Sequence, residues 1–382
     1  EINKRFGKLS LSQILEPAAS YARDGFPVSP VVSALWNRLA ESFKKGLSPE
    51  FYEAWAADFT IGGRAPRAGE IFKYKGMAET LEELGRTNCE SFYRGAIADA
   101  IDSYSRKTGG YLRKEDLAAY KAQWVEPITT NYRGYDVWEI PPNGHGIVVL
   151  MALNILEGMD LSAGHDDPET AHKIMEALKL AFTDGKRYVA DPRAMKPTVE
   201  QLLSRDYAAK RRALIGSTAL EPKPGTPYCG DTVYLNAADG DGNMISYIQS
   251  IYCGFGSGTV LPGTGIVFHN RGNNFTMDET MENCVAPGKK PYHTIIPGFL
   301  SKDGKAVGPF GVMGGFMQPQ GHVQVLTNMI DFHMNPQEAL DAPRWMWTGE
   351  KKISLERLYN SEMADKLTRT GHDITIPVNS LE

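Results

Sequence analysis

The hydrophobic pattern changes period near residue 220, and that change limits the folds open to this chain more than any other feature. Upstream, apolar residues recur with helical spacing. Ser12 as an N-cap predicts a helix to about Ala22, stopped by Gly25-Phe26-Pro27. Similar patterns predict helices over 31–45, 77–106, 147–156, 169–189 and 199–214, and RGYDVWEIPP, from Arg133, is the clear strand. From Cys229 onward short β-rich runs such as VYLNAAD, MISYIQS and HTIIPGFL lie between glycine-rich turns. Helical segments over 323–332 and 336–340 follow, then a short strand and helix. The stretch LEPKPGTPYCGD, residues 220–231, separates the two textures and reads as an exposed loop open to cleavage or rearrangement. An α+β fold with a helical N-terminal half and a β-rich C-terminal half is expected, without internal repeats.

Composition narrows the partners. With 382 residues, 42% hydrophobic and 23% charged, the chain can bury a large core. The strongest apolar run, over 147–156, is interrupted by Asn154 and falls short of a membrane span. The net charge of −5 and scattered Lys and Arg give no basic stripe, so nucleic acid is not an expected partner. Cys89, Cys229, Cys253 and Cys284 are far apart and read as free thiols, which points to a reducing, cytoplasmic compartment. The opening residues carry no Met and no signal peptide and read as the middle of a helical region, as if something had been removed upstream.

Four local patterns compete for chemistry. DGDGN, residues 239–243, imitates a calcium loop, but Met244 stands where that loop needs Gly and Ser250 where it needs Glu. A hairpin turn between strands at Thr232–Ala238 and Met244–Tyr247 is the better reading. GFGSG, residues 254–258, lacks the Lys-Ser/Thr of a phosphate loop and reads as a turn. His293 and His322 lack metal-ligand spacing and read as structural, so neither metal nor cofactor is expected. In GPFGVMGGFMQPQGH, residues 308–322, an apolar strand ends at Gly314-Gly315. Two residues without side chains let backbone N–H groups approach a substrate oxygen, as an oxyanion hole requires.

Thr232 opens the β-rich half directly after the linker. If the bond from Asp231 to Thr232 is cut, Thr232 gains an α-amine with a reference pKa of roughly 7.7 to 8.0, held on the same residue as its hydroxyl. Nucleophile and base then come from one residue. The cut itself can use the Thr232 hydroxyl on the carbonyl of Asp231.

The residues NKRFGKLSLSQILEPAASYARDGFPVSP, PPNGHGIVVLMALNILEG, GDTVYLNAADGDGNMISYIQS, GFGSGTVLPGTGIVFHNR, APGKKPYHTIIPGF, GVMGGF and ALDAPRW, in this order, resemble the gamma-glutamyltranspeptidase family of N-terminal-nucleophile (Ntn) hydrolases over nearly the whole chain. The resemblance implies a four-layer αββα sandwich and self-cleavage into a large chain ending at 231 and a small chain from 232 to 382. It also implies acyl transfer without a cofactor. The two chains would form one intertwined heterodimer, with a dimer of these as a further assembly. It puts the nucleophile at Thr232, the oxyanion pair at Gly314 and Gly315, and at Ser250 the hydroxyl that serves the nucleophile's amine. The expected partners are a small-molecule amide or gamma-glutamyl substrate and a water or amine acceptor. The family also implies a long segment ahead of Glu1, so the sequence reads as a fragment.

Departures from the family pattern concern substrate. Tyr252 stands for an asparagine, Arg271 for a glutamine, Asn274 for the aspartate that grips the α-ammonium, and His293-Thr294 for a serine pair at the glutamyl carboxylate. Losing the aspartate removes a charge-assisted hydrogen bond, about 1.5 to 3 kcal/mol, and Arg271 would attract a carboxylate. Three readings follow: a self-processing amide acylase, a true gamma-glutamyl transferase acting on glutathione, and an inactive homologue.

Overall fold

The computed structural model describes residues 1–222 and 231–377. They fall into two compact units, one of residues 1–124 with 254–269, the other of residues 125–253 with those from 270 onward. The bond between Asp231 and Thr232 lies inside the second unit.

In the first unit, helices Leu11–Asp24, Pro30–Gly46, Pro49–Phe59, Lys75–Arg86 and Ala96–Lys107 dominate. The first begins two residues earlier than the Ser12 reading, because Ser10 and Gln13 form a reciprocal capping box. The helical pattern over 77–106 is broken into three helices where Asn88 and Cys89 take positive φ and Gly95 is extended. Helix Pro49–Phe59 was not predicted. The GFGSG run has a packing role: Phe255 puts its ring 4.8 Å from Phe59, 5.2 Å from Trp55 and 5.3 Å from Trp36.

The second unit is built on an antiparallel sheet ordered Lys305–Phe310, Gly298–Lys302, Tyr135–Glu139, Ile128–Tyr132. Helix Gly146–Leu156 is buried at every residue. Its continuous apolar run carries little helical periodicity because every face meets protein. Asn154, the break in that run, is satisfied by Thr130 and by the Leu203 carbonyl. The long helix Pro168–Tyr188 packs beside it. The hairpin Asp231–Ala238 with Met244–Tyr252 lies next to Lys305–Phe310. Its turn is held by the Asp239 carboxylate, which accepts from the backbone of Asp241 and Asn243 and from the Asn243 amide, as the hairpin reading requires. A further sheet pairs Trp345–Gly349, Lys352–Leu355 and Asp373–Thr375.

Among the described residues no helix is long and apolar enough to cross a membrane. Cys89 and Cys284 are free, as read. Cys253 is disulfide-bonded, which corrects the free-thiol reading there. Cys229 lies outside the described residues.

Candidate active site

Strand alternation places Thr232. Val233 and Leu235 face solvent, whereas Thr232 is 4% exposed and shares the inner face with Tyr234. Register pairs Thr232 with Ser250, next to a bulge at Asp231. The Thr232 hydroxyl donates to Ser250 Oγ at 3.2 Å, and Ser250 Oγ also accepts from the Tyr252 amide at 2.9 Å. That second bond secures an unusual backbone, because Tyr252 sits at φ +81, a region costly for a bulky side chain.

Tyr252 then carries the arrangement onward. Its buried ring lies under the Arg271 guanidinium, 4.8 Å from the ring centroid. Arg271 is itself 2% exposed and donates through Nη1 to the Thr294 hydroxyl. Burial pulls the guanidinium down to about 10, and the facing Tyr252 opposes the shift, so it stays charged at neutral pH. The Tyr252 hydroxyl has no hydrogen-bond partner among the described residues.

Asn274 and His293 have other engagements. The Asn274 side chain donates to the Tyr292 carbonyl at 3.0 Å, and its backbone carbonyl accepts from Asn283. His293 exchanges backbone bonds with Asn143 and His145. Both therefore shape the floor on which Arg271 and Thr294 rest.

Gly314 and Gly315 form the turn into helix Met317–Ile330, at φ +125 and +58. The strand ahead of them ends at Phe310, earlier than expected, because the backbone must turn into the helix. Their carbonyls accept from the Met317 and Gln318 amides, and neither glycine's N–H donates to another group among the described residues. Two glycine N–H groups just ahead of a 14-residue helix suit a developing negative charge. A side chain at 314 would come within 2.9 Å of Met317 Cβ. The turn is tied to the same floor: Phe316 stacks on Tyr292 at 5.7 Å, and Gln318 accepts from the Ile296 amide at 3.1 Å. It is tied to the hairpin too, because the Tyr234 ring packs on Gly311, where a Cβ would meet it at 2.4 Å.

Sequence reasoning missed two neighbours of this turn. His145 is fully buried, edge-on to Tyr292 at 5.5 Å and to Phe316 at 6.0 Å, and burial holds its imidazole well below the usual histidine range. Lys186 stands 5.6 Å from the Phe316 ring and 5.0 Å from that of Trp347, and burial pulls its amine down to about 8. His145 lies within the PPNGHG motif and Lys186 in none, and neither shows a signal for this contact, since each meets Phe316 from a distant part of the chain. His322, read as structural, is buried with Nδ1 2.8 Å from Glu139.

One group of possible metal ligands occurs among the described residues, His172, Glu176 and His372. The two imidazoles are bonded directly at 2.8 Å, which leaves no room for an ion between them.

Replacing Ser250 with Ala is expected to leave the Tyr252 amide unpaired in a buried, strained position, costing about 1 to 3 kcal/mol. Chemical denaturation would read that loss. A stability equal to the parent's would show that Ser250 does not hold this backbone.

A family model described as Gamma-glutamyltranspeptidase matches residues 1–381. The chain is 37% identical over 379 residues to the glutathione hydrolase-like YwrD proenzyme of Bacillus subtilis (strain 168), covering 98% of this chain and 71% of that protein. It is 33% identical over 373 residues to the oxamate amidohydrolase proenzyme of Klebsiella pneumoniae, covering 96% of this chain and 69% of that one. Among solved structures it is similar to the cephalosporin acylase from Bacillus halodurans, with a TM-score of 0.94 and 52% identity over 99% of this chain and 69% of that chain.

Proposed function

Because the chain belongs to the gamma-glutamyltranspeptidase family and has an α+β fold of the Ntn-hydrolase type, we propose that it cuts itself between Asp231 and Thr232. Thr232 then removes from amides an acyl group that ends in a carboxylate. The observation that carries the substrate class is the buried Arg271 guanidinium, seated on Tyr252 and Thr294 and linked through Tyr252 to the Thr232–Ser250 pair.

In the first step the Thr232 hydroxyl adds to the Asp231 carbonyl, the C–N bond breaks, and water hydrolyses the resulting ester. This leaves a carboxylate on Asp231 and a free amine on Thr232. The Thr232 side chain, 4% exposed in the uncut chain, becomes the end of a chain once the residues ahead of it are detached. In turnover Thr232 Oγ attacks the substrate carbonyl while the α-amine takes its proton. The Gly314 and Gly315 N–H groups stabilise the oxyanion, and the amine product leaves with that proton. Water or a second amine then takes the acyl group from Thr232.

A gamma-glutamyl donor carries an α-ammonium as well as a carboxylate. Here the neutral Asn274 amide is occupied by Tyr292 and Arg271 repels a cation. Hydrolysis of a glutaryl anilide should therefore exceed that of a gamma-glutamyl anilide. The reverse order would favour glutathione-type chemistry, which the Bacillus subtilis relative's name suggests for that protein.

The amine base sets a pH dependence. Only the unprotonated amine accepts the hydroxyl proton, so kcat/KM is expected to rise with pH through one ionisation near the α-amino reference value of roughly 7.7 to 8.0. A flat profile between pH 6 and 9 would remove the amine from the mechanism.

A further inference from the structure

Helix Pro168–Tyr188 presents His172, Glu176 and Lys179 on one face, at i, i+4 and i+7. Each is less than 5% exposed, as is His372, which meets them from the far end of the chain. All of them converge on the segment Gly216–Leu220, the last described backbone ahead of the hairpin apart from Glu221 and Pro222. Glu176 Oε2 accepts from the Leu220 amide at 3.2 Å, and Lys179 Nζ donates to the Leu220 carbonyl at 2.6 Å. The two side chains pair with each other at 2.7 Å. His172 Nε2 lies 3.0 Å from the Gly216 carbonyl, and its Nδ1 lies 2.8 Å from His372 Nε2. The Ala219 amide donates to the Thr370 carbonyl at 2.9 Å.

These contacts assign the protons. A carbonyl only accepts, so the His172 Nε2 carries hydrogen and donates to Gly216. One hydrogen then bridges His172 Nδ1 and His372 Nε2. The remaining His372 Nδ1 is buried with no partner, so a second proton on that ring has nowhere to go. One ion pair, Glu176–Lys179, stands beside the two imidazoles.

We propose that these four side chains form a buried backbone clamp that retains the tail of the large chain after cleavage and joins it to the C-terminal part of the small chain. The inference rests on the self-cleavage reading above. It uses main-chain atoms on Gly216 and Leu220, so it is insensitive to the tail's own side chains. His172, Glu176 and Lys179 lie ahead of the cleavage bond and His372 lies after it, so the imidazole pair becomes a contact between two chains.

Intact mass of the purified full chain first shows whether the large chain ends at Asp231. If it does, carboxypeptidase Y, with dithiothreitol present to open the Cys253 disulfide, should trim that end and stop before Leu220 in the wild type, whereas in Lys179→Met and His372→Leu trimming should pass Gly216. Trimming through Gly216 in the wild type would overturn the clamp whatever the variants do. If the chain is uncut, the cleavage reading fails and the clamp is read separately, by deuterium exchange at the Leu220 amide. Protection about a hundredfold greater in wild type than in Lys179→Met supports it, and equal exchange overturns it. Stoichiometric zinc retained on purification and lost in His372→Leu would also overturn it, in favour of a metal site.

Discussion

Replacing Thr232 with Ala is expected to leave one uncut chain and to lower kcat for amide hydrolysis by about 10⁴ to 10⁶, the scale on which loss of a covalent nucleophile acts in other hydrolases. Both effects follow from one oxygen. It attacks the Asp231 carbonyl to cut the chain, and without that cut there is no free amine to serve as base. The hairpin should survive, because Ala keeps the strand and the Ser250 hydroxyl still accepts from the Tyr252 amide. Thr232→Ser restores the oxygen and is expected to cut and to turn over, more slowly. Denaturing electrophoresis and intact mass read the cut, and mass of a trapped acyl-enzyme reads the second role. An Ala variant that still splits at 231 would remove Thr232 from the chemistry altogether.

The second large effect belongs to Arg271. Exchanging it for Met keeps the volume and removes the guanidinium from above Tyr252. With a carboxylate-bearing acyl group, kcat/KM should fall about 10- to 150-fold, the equivalent of losing a charge-assisted hydrogen bond of about 1.4 to 3 kcal/mol. A neutral acyl anilide of the same length should be unaffected or improved. Stability should hold or rise, since replacing a buried charge by an apolar group of similar size is often stabilising. A merely structural arginine would behave differently, with stability and both activities falling together. Equal losses on charged and neutral substrates would therefore sink the carboxylate reading.

Much of the site could be read one residue at a time. The β-rich run from Thr232 to Ala238 and the Asp-Gly turn define a hairpin, and its return strand, which runs past the expected Tyr247 to Tyr252, brings Thr232 opposite Ser250. The apolar run over 147–156 and the patterns over 31–45 and 169–189 became helices close to the expected bounds, because each is long and no proline breaks it. Local chemistry decided the rest. Asn88, Cys89 and Gly95 broke one long helical pattern, and the capping box at Ser10 moved a helix start.

Other features had no local signature. Tyr252, Arg271 and Thr294 come together only because the hairpin's second strand, the short helical turn at Arg271–Asn274 and the stretch after Tyr292 share one floor. The glycine pair is fastened to that floor by Phe316 and Gln318, whose motif gives no sign of their partners Tyr292 and Ile296. His172 and His372 are 200 positions apart, a separation at which side-chain spacing carries no information.

Residue order alone determined the alternation of faces, the turn, the threonine that follows the linker, and the two positions where only a residue without a side chain is comfortable. These depend on covalent geometry and hydrogen bonds a few residues away. The tertiary structure alone decided which buried groups neutralise or orient one another. Guanidinium over ring, imidazole against imidazole and ammonium on carboxylate are non-local contacts, formed only where the packed core excludes water and leaves each polar group to find its partner within the protein.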